Sequence, residues 1–364
     1  MKIINQPQFL SKEAYDDELG LYLQNAEGSK GLVSVLTMGS VGAPGLSDLD
    51  LICVVKEGAK AKTVHGLDIP KGAQERGILL HGPIVIPKSL FPDLHYIFPV
   101  SNLIDCSGES LLQNISPVSE EEEKSLALAY LVDFTLSRLL QHSVVNTKKV
   151  IDKRGWLTRL WSLTHSEKLC KKAGIDLQSN WKVLLQDIRQ TRDDWNSGKS
   201  CDDQKFLNMY KRLELVHQQL LTVALEAESK ILGKNNSENN LKFLKSSRNI
   251  ICQSIATPKV LNHGTLLSSV LKINYQTVHA PSQYAVRLAH YGFQGPERIE
   301  LSNTFHGQVL QKRASLVRKY NQFLENSGIT FSLQGNLGLP VKKESFVFSF
   351  IHKLFWMTQR LRFF

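Results

Sequence analysis

Two aspartates that are two positions apart, Asp48 and Asp50, are the residues of this chain best placed to do chemistry. They begin a short apolar segment that runs to Val55, and side chains two apart on a strand point to the same face. Two carboxylates that point together repel each other unless a cation lies between them. Mg²⁺ prefers such oxygen ligands and keeps part of its coordination shell for substrate phosphates. The pattern therefore predicts a divalent metal site at the mouth of an apolar strand.

A Gly-Ser pair precedes the aspartates and follows another apolar segment, Leu32 to Met38. Gly39 and Ser40 are separated from Asp48 by seven residues that are rich in glycine and proline. Glycine lets a backbone come close to a phosphate, and serine offers both a hydroxyl and an amide donor. We therefore expect a phosphate-binding turn and a compact loop beside the metal site.

The whole arrangement resembles the signature of the DNA polymerase beta-type nucleotidyltransferase superfamily. The resemblance comprises Gly39-Ser40, seven residues, Asp48-Leu49-Asp50 and an apolar strand, with Ser47 before the first aspartate, and it covers the first third of the chain. It implies metal-dependent transfer of a nucleoside monophosphate from an NTP to a hydroxyl acceptor. Asp48 and Asp50 would be the catalytic ligands of Mg²⁺ or Mn²⁺, and Gly39 and Ser40 would bind the nucleotide phosphates. ATP is the favoured nucleotide, and the acceptor stays unidentified.

Members of this superfamily usually carry a third carboxylate on a later strand, as a metal ligand or as the base that takes the acceptor proton. The candidates here are Asp93, which follows Pro92, and Asp105, which follows an apolar pair. The alternative for Asp93 is a turn residue, and for Asp105 a loop carboxylate or a helix cap. Without a third carboxylate, the chain would be a nucleotide-binding or regulatory protein that lacks turnover.

The order of apolar patterns predicts an α+β fold with three regions. Residues 1–118 are expected to form a nucleotidyltransferase-like catalytic domain, a mixed sheet with flanking helices. Residues 119–233 are expected to form a helical domain, because apolar residues recur there at helical spacing. Residues 241–364, after a polar linker, are expected to form a basic and mainly helical C-terminal region.

Several element boundaries can also be predicted. Ser119 and Glu122 form a capping box that begins a long helix. A first helix, from Ser11 to Asn25, is expected to bury Ala14, Leu19, Leu21 and Leu23. A strand is expected at residues 94–100. The further helices are expected at Lys148 to Cys170, Trp181 to Trp195, Asp203 to Leu232, Leu241 to Tyr275 with a break at Pro258, and Arg298 to Leu324, the last a basic helix.

The net charge of +10 is unevenly distributed. Residues 1–118 carry −4 and residues 242–364 carry +12. The final segment, Lys342 to Phe364, combines five Lys and Arg residues and one Glu with many aromatics. Such asymmetry predicts an anionic partner for the C-terminal third, which could be nucleic acid, acidic lipid or an acidic glycan. Solubility alone, or a tail that docks on its own domain or on a second subunit, is the alternative.

The expected location is the cytoplasm, with the inner membrane surface as the alternative suggested by the basic tail. The N-terminus lacks the apolar segment of a signal peptide, and no apolar run is long enough to span a bilayer. The five cysteines are scattered without a close pair, which fits a reducing compartment and argues against a zinc site.

Overall fold

The structure is a computed structural model that describes residues 1–232, 250–253, 259–263, 275–281, 287 and 303–333. The chain divides into two compact units, of which the first combines Met1–Asn236 with Glu300–Gly338. The second combines Ser237–Ile299 with Leu339–Phe364. The fold is α+β, as predicted, but residues 303–333 belong to the first unit and not to a separate C-terminal region. Among the described helices, none is long and apolar enough to cross a membrane.

Helices and strands are mixed through the first 152 residues, and residues 153–232 form helices joined by short connections. The strands are β1 Lys2–Ile4, β2 Leu32–Met38, β3 Asp50–Val55, β4 Ile84–Pro87, β5 Ile104–Gly108, β6 Val150–Asp152, β7 Ile250–Gln253, β8 Lys259–His263 and β9 Tyr275–Pro281. The helices are α1 Glu13–Glu27, α2 Lys71–Glu75, α3 Leu94–Ile97, α4 Glu120–Lys148, α5 Lys153–Ala173, α6 Ser179–Asn196, α7 Asp203–Leu232 and α8 Phe305–Ser327.

A four-stranded mixed sheet in the order β4-β3-β2-β5 forms the frame of the N-terminal part. β3 lies parallel to β4 and antiparallel to β2, which in turn lies antiparallel to β5. Every residue of β4 and all of β3 after Asp50 are buried, since both strands are nearly continuous runs of apolar residues. The two parallel strands begin at the same end of the sheet, and this end carries the candidate site.

Helix α1 occurs where it is predicted, but it buries a different face. Tyr15, Glu18, Tyr22 and Ala26 are buried, whereas Leu21 is exposed. These four lie three or four positions apart and therefore share one side of the helix. The large tyrosine rings fill the core while their hydroxyls find acceptors, as Tyr22 does in donating to the carbonyl of Leu67 at 2.7 Å.

The strand predicted at residues 94–100 is wrong, because Leu94–Ile97 form the short helix α3. The amide of Phe98 donates to the carbonyl of Leu94 at 2.8 Å and closes the turn. Leu94, Tyr96, Ile97 and Phe98 are all buried, so the segment contributes a cluster of core side chains and not an alternating face.

The long helices agree with the apolar periodicity, except at one start. The capping box at Ser119 is present, with the Glu122 amide donating to the Ser119 hydroxyl at 3.1 Å, and α7 has the predicted bounds. The helix predicted from Lys148 begins instead at Lys153, since Val150–Asp152 pair as a strand with β1. Asp152 then caps α5 by accepting from the Gly155 amide at 2.9 Å.

In the second unit, the helix predicted from Leu241 to Tyr275 is wrong wherever this part of the chain is described. Its residues form strands β7 and β8, and β9 lies between these two in a three-stranded sheet. The segments are short and rich in Ile and Val, which favour strands over helices. The basic and aromatic tail from Lys342 lies outside the described residues.

Helix α8, the predicted basic helix at Arg298 to Leu324, packs against α3 and α4 in the first unit. Its arginine Arg313 is completely buried and donates to Asp133 of α4, also completely buried, at 2.9 Å. Arg313 further donates to the carbonyl oxygens of Tyr96 and Ile97. One of the charges expected on a basic surface therefore anchors the helix in the core.

The chain after α8 returns to the edge strand of the sheet. The Ser332 hydroxyl accepts from the amide of Val85 in β4 at 2.9 Å, and the Leu333 amide donates to the carbonyl of Pro83 at 3.0 Å. A Cβ atom on Gly82 would lie 1.7 Å from the carbonyl oxygen of Phe331. This close approach requires glycine, and it fixes the residues that lead into β4.

Two buried histidines join α4 to α7. His142 and His217 are fully buried, and the His142 Nε2 atom lies 3.2 Å from the His217 Nδ1 atom. The other ring nitrogen of each histidine has no hydrogen-bond partner. Burial, followed by the charges of Arg138 and Arg159, lowers the pKa of His142 to about 3. Burial, followed by His142, also lowers the pKa of His217. Both rings are therefore neutral in the folded protein at neutral pH.

Acid is expected to destabilise the protein through this pair. The unfolded chain takes up protons below its ordinary histidine pKa, whereas the folded chain does not, so stability is present at neutral pH and falls as the pH drops. Between pH 7 and 5, His142 alone should lower the free energy of unfolding by about 2 kcal/mol. Urea titrations across this range measure the slope. A double variant, His142→Phe with His217→Leu, should lose less stability than wild type over this pH range. His65→Gln, at an exposed position, should lose as much stability as wild type. A double variant with the same slope as wild type would contradict the assignment.

Candidate metal centre and phosphate loop

Three side chains converge where β3 and β4 begin. Asp48 lies two residues before β3, Asp50 opens β3, and His81 lies three residues before β4. Each offers one ligand atom, and these atoms all lie within 4.8 Å of one another. The parallel pairing of β3 with β4 accounts for this, because it places the residues that precede the two strands side by side.

His81 has both ring nitrogens engaged. Its Nε2 atom lies 2.9 Å from the Asp50 Oδ1 atom, and its Nδ1 atom lies 2.9 Å from the carbonyl oxygen of Gly82. A carbonyl only accepts, so Nδ1 carries a proton. Desolvation opposes protonation of the ring, but the hydrogen bond and charge of Asp50, followed by the charge of Asp48, raise the pKa of His81 to about 9. The imidazolium thus partly neutralises the two carboxylates.

Asp48 lies where its negative charge is disfavoured. Burial, followed by repulsion from Asp50, raises its pKa. His81 and Arg154 act in the opposite direction. A carboxylate whose charge is disfavoured in this way is stabilised by any cation that reaches it.

The donor set fits a divalent cation. Two carboxylates are the ligands that Mg²⁺ and Mn²⁺ use in proteins. A neutral His81, held by Gly82, would present the Nε2 lone pair to the same point, and imidazole is a more usual ligand for zinc or iron than for magnesium. Asp48, Asp50 and His81 would therefore be the residues that hold the ion.

Neither candidate for a third carboxylate belongs to this group. Asp93 lies 3.8 Å from the Lys312 Nζ atom, in the turn before α3. Asp105 lies in β5, which β2 separates from β3, and it accepts from the Ser110 hydroxyl at 2.6 Å. The third position is occupied by His81, which was not predicted. The available signal was a polar side chain shortly before a second buried strand, at the end of the sheet where Asp50 begins β3.

The Gly39-Ser40 turn follows β2 at the end of the sheet where β3 begins. Gly39 has φ of +80°, which favours glycine, and its amide donates to the carbonyl of Ser101 at 2.9 Å. A Cβ atom on Gly39 would meet the Asp50 Oδ2 atom at 4.0 Å, so the glycine faces the acidic group across open space. Ser40 is exposed. Because the Gly39 amide is already bonded, donors for a phosphate would come from Ser40.

Gly39→Ala is expected to lower stability by about 1–2 kcal/mol, because a side chain there must adopt a left-handed backbone conformation. It should also weaken nucleotide binding, since the turn borders Asp50. Gly20→Ala is the matched control, as a Cβ atom there meets nothing within 4 Å and helix α1 should gain roughly 0.5–1 kcal/mol. Urea unfolding and nucleotide calorimetry measure the two effects. A Gly39→Ala protein that binds nucleotide normally would contradict phosphate binding at this turn.

The loop between the turn and Asp48 is held by residues distant in sequence. The Tyr15 hydroxyl donates to the carbonyl of Ser47 at 2.6 Å and accepts from the amide of Gly45 at 2.9 Å. From α6, the Trp195 indole donates to the carbonyl of Pro44 at 2.7 Å, and the Arg192 Nη2 atom donates to the Ser47 hydroxyl at 2.6 Å. The loop therefore has a fixed shape.

Arg154 of α5 ties the loop to the chain that leads towards β4. It donates to the carbonyl oxygens of Leu46 at 2.8 Å, Ser47 at 2.7 Å and Gly77 at 2.6 Å. The two segments that carry Asp48 and His81 are thus joined through one buried guanidinium. Neither Arg154 nor Tyr15 was predicted as a site residue, because their roles depend on contacts far along the chain.

Four arginines surround the aspartates from the helical side. Arg138 lies on α4, Arg154 and Arg159 on α5, and Arg192 on α6. Burial lowers the pKa of all four, that of Arg138 to about 9 and that of Arg192 to about 10, while the charge of Asp48 raises each of them. Among the described residues, none of the four forms an ion pair with a carboxylate. The site thus combines an acidic centre with an excess of unpaired positive charge.

Comparison of the chain with protein families, with curated proteins and with solved structures gave no match.

Proposed function

We propose that the protein is a metal-dependent nucleotidyltransferase, which transfers a nucleoside monophosphate from an NTP to a hydroxyl acceptor and releases pyrophosphate. The observation that carries this proposal is the meeting of Asp48, Asp50 and His81 within 4.8 Å of one another, beside the Gly39-Ser40 turn. The ion would be Mg²⁺ or Mn²⁺, and ATP is the favoured donor. The nucleotidyltransferase-type arrangement of the sheet is part of the same proposal.

The chain's own residues divide the work. Asp48, Asp50 and His81 would hold the ion, which, when bound, neutralises phosphate charge and makes the acceptor hydroxyl more acidic. Ser40 and the fixed loop behind it would orient the nucleotide phosphates. The work of the protein is then positioning and charge neutralisation, which dominate catalysis of phosphoryl transfer.

The arginine distribution supports an anionic substrate. Guanidinium groups lose hydration when they are buried, and an anion that pairs with them offsets this cost. Arg138, Arg154, Arg159 and Arg192 all interact with the charge of Asp48, so their positive field reaches the centre. Phosphate groups of the substrates would supply the missing negative charge.

Incubation of the purified protein with each labelled NTP, with Mg²⁺ or with Mn²⁺, tests the proposal. Labelled product on a cell-extract acceptor, with stoichiometric pyrophosphate, is the expected result. Asp50→Asn is the control for a contaminating enzyme. Nucleotide binding without pyrophosphate release under all conditions would contradict the proposal.

The second candidate is a nucleotide-binding or regulatory protein without turnover. It is favoured by one observation: a histidine, and not a carboxylate, occupies the third position beside Asp48 and Asp50. A base for the acceptor proton would then have to come from another group. Metal-dependent ATP binding without any pyrophosphate release would favour this candidate.

An anionic partner for the C-terminal third remains a proposal that depends on charge alone, since residues 242–364 carry +12. A chain that ends at Pro340 should bind anionic liposomes, or a mixed tRNA pool, less tightly than the full chain. Each Lys or Arg near an acidic membrane contributes about 1 kcal/mol, and binding to nucleic acid falls steeply with salt. Flotation and filter binding at low and moderate salt distinguish the two. Equal behaviour of both proteins would assign the tail to solubility or internal docking.

A further inference from the structure

The four arginines near Asp48 fall into two pairs with different hydrogen bonds. Arg154 and Arg192 are committed to the loop, through the carbonyl oxygens of Leu46, Ser47 and Gly77 and through the Ser47 hydroxyl. Arg154 also donates to the hydroxyl of Thr158. These contacts use both Nη atoms of Arg154 on the protein itself, and the hydrogen bond of Arg192 ties its Nη2 atom to the loop. This pair therefore shapes the site more than it binds ligand.

Arg138 and Arg159 form the other pair and meet at one neutral oxygen. The Arg138 Nη1 atom donates to the Gln141 Oε1 atom at 2.8 Å, and the Arg159 Nε atom donates to the same atom at 3.1 Å. The Arg138 Nε atom is buried and has no hydrogen-bond partner. Two guanidinium groups thus share a single uncharged acceptor, and within the described part of the chain neither makes a second side-chain hydrogen bond.

The groups packed around this pair supply little compensating charge. The Arg138 guanidinium stacks 4.4 Å from the ring centre of Phe134, and that of Arg159 lies 5.6 Å from the ring centre of Trp156. Asp48 acts on both arginines, and Asp152, the cap of α5, acts on Arg159. The planar guanidinium groups of Arg138 and Arg159 are therefore held in place by aromatic rings, while neither forms an ion pair with a described carboxylate.

We propose that Arg138 and Arg159 form a subsite for a phosphate group, and that this phosphate belongs to the acceptor. Guanidinium forks bind phosphate oxygens through paired N–H donors, and two of them at one point match a doubly charged oxyanion. The assignment to the acceptor depends on the proposed function. In that reaction the nucleotide phosphates lie at Ser40, two residues before Gly42, where a Cβ atom would lie 3.7 Å from the Arg192 Nη2 atom. This leaves the separate pair on α4 and α5 for the other substrate. The acceptor would then be a phosphorylated molecule with a free hydroxyl.

The subsite can be tested without metal, nucleotide or turnover. Inorganic phosphate is titrated into the full chain in EDTA, with calorimetry and the shift in melting temperature as readouts. Wild-type protein should bind phosphate, and Arg138→Gln should bind it about tenfold more weakly. Arg189→Gln, at an exposed arginine of α6 paired with Glu167, is the control and should bind normally. Equal phosphate affinity in wild type and Arg138→Gln, or no binding by wild type, would overturn the subsite.

A conservative variant protects this test against a folding defect. Arg159→Lys keeps the charge but loses the fork, so it should fold and still bind phosphate several-fold more weakly. Circular dichroism checks the fold of each variant. An Arg159→Lys protein with unchanged affinity would mean that phosphate binds by charge alone, and it would overturn the forked geometry.

A parallel titration with ATP and Mn²⁺ identifies the source of the phosphate. If the subsite serves the acceptor, Arg138→Gln should bind ATP within about twofold of wild type. A loss of ATP affinity equal to the loss of phosphate affinity would assign the subsite to the nucleotide and overturn the acceptor assignment. Failure of the proposed function is distinguishable, because a protein that never transfers a nucleotide can still lose phosphate binding on Arg138→Gln.

Discussion

Replacement of Asp48 or Asp50 by asparagine is expected to abolish metal-dependent nucleotide binding and turnover while the fold persists. Each change removes a charged ligand from the three-residue group, and a metal ion contributes several kcal/mol to transition-state stabilisation. The rate of nucleotidyl transfer should fall by about a thousandfold or more. The metal-free Asp48→Asn protein should unfold at an equal or higher urea concentration, since burial and Asp50 disfavour the Asp48 charge. Calorimetry with and without the metal measures the binding, and urea unfolding measures the stability.

Asp105→Asn is the matched control for both aspartates. Asp105 lies on the same sheet but outside the group, and its carboxylate accepts from Ser110. Metal binding should survive this change. If Asp105→Asn abolished binding as completely as Asp50→Asn, the third ligand would be Asp105 and not His81. Unchanged metal affinity in both Asp48→Asn and Asp50→Asn would contradict a metal site at this end of the sheet.

Loss of the Arg313 guanidinium is expected to destabilise the first unit by about 3–5 kcal/mol, because it breaks a completely buried ion pair with Asp133. Both side chains are completely inaccessible to solvent. The carbonyl oxygens of Tyr96 and Ile97 would lose their donor as well. Urea unfolding of Arg313→Met monitored by circular dichroism measures the change.

The neighbouring Lys312→Met provides the control, since Lys312 is about half exposed and its contact with Asp93 is a surface pair. Its expected effect lies within about 1 kcal/mol. A double variant, Arg313→Met with Asp133→Leu, should recover about half of the loss, as an apolar pair replaces a broken ionic one. An Arg313→Met protein as stable as wild type would show that α8 contributes little to the unit.

The parts of the fold and site that follow from sequence are those encoded locally. The separation of Ser40 from Asp48 and the apolar residues on both sides give the turn, the loop and β3 at the right places. The Ser119 capping box gives α4, and the apolar residues at helical spacing from Asp203 to Leu232 give α7, since caps and 3.6-residue periodicity are properties of a single segment.

The parts that do not follow depend on pairing between distant segments. His81 is a site residue only because β4 lies parallel to β3. Tyr15 and Arg154 support the loop from segments far along the chain, and no local pattern reveals a hydrogen bond to a distant carbonyl. Short apolar runs such as residues 94–100 fit a strand or a helical turn equally well until tertiary packing decides between them.

The charge pattern gives the sign of the net charge of the C-terminal third, but it does not show which of these charges lie on the surface. Arg313 stands among surface cations in the sequence, yet it forms a buried pair with Asp133, 180 residues earlier in the chain. A count of charges therefore overstates the basic surface of the C-terminal third.

The split of the first unit across the chain has a consequence for biosynthesis. Residues 1–236 leave the ribosome before the 300–338 segment that completes their unit. Until then Asp133 lacks Arg313, and β4 is an open edge without Ser332 and Leu333. At 5–20 residues per second, a translating ribosome needs on the order of 5–20 s to supply the missing segment. During that interval the nascent protein exposes the outer edge of β4, so it should be a substrate for chaperones that bind such edges.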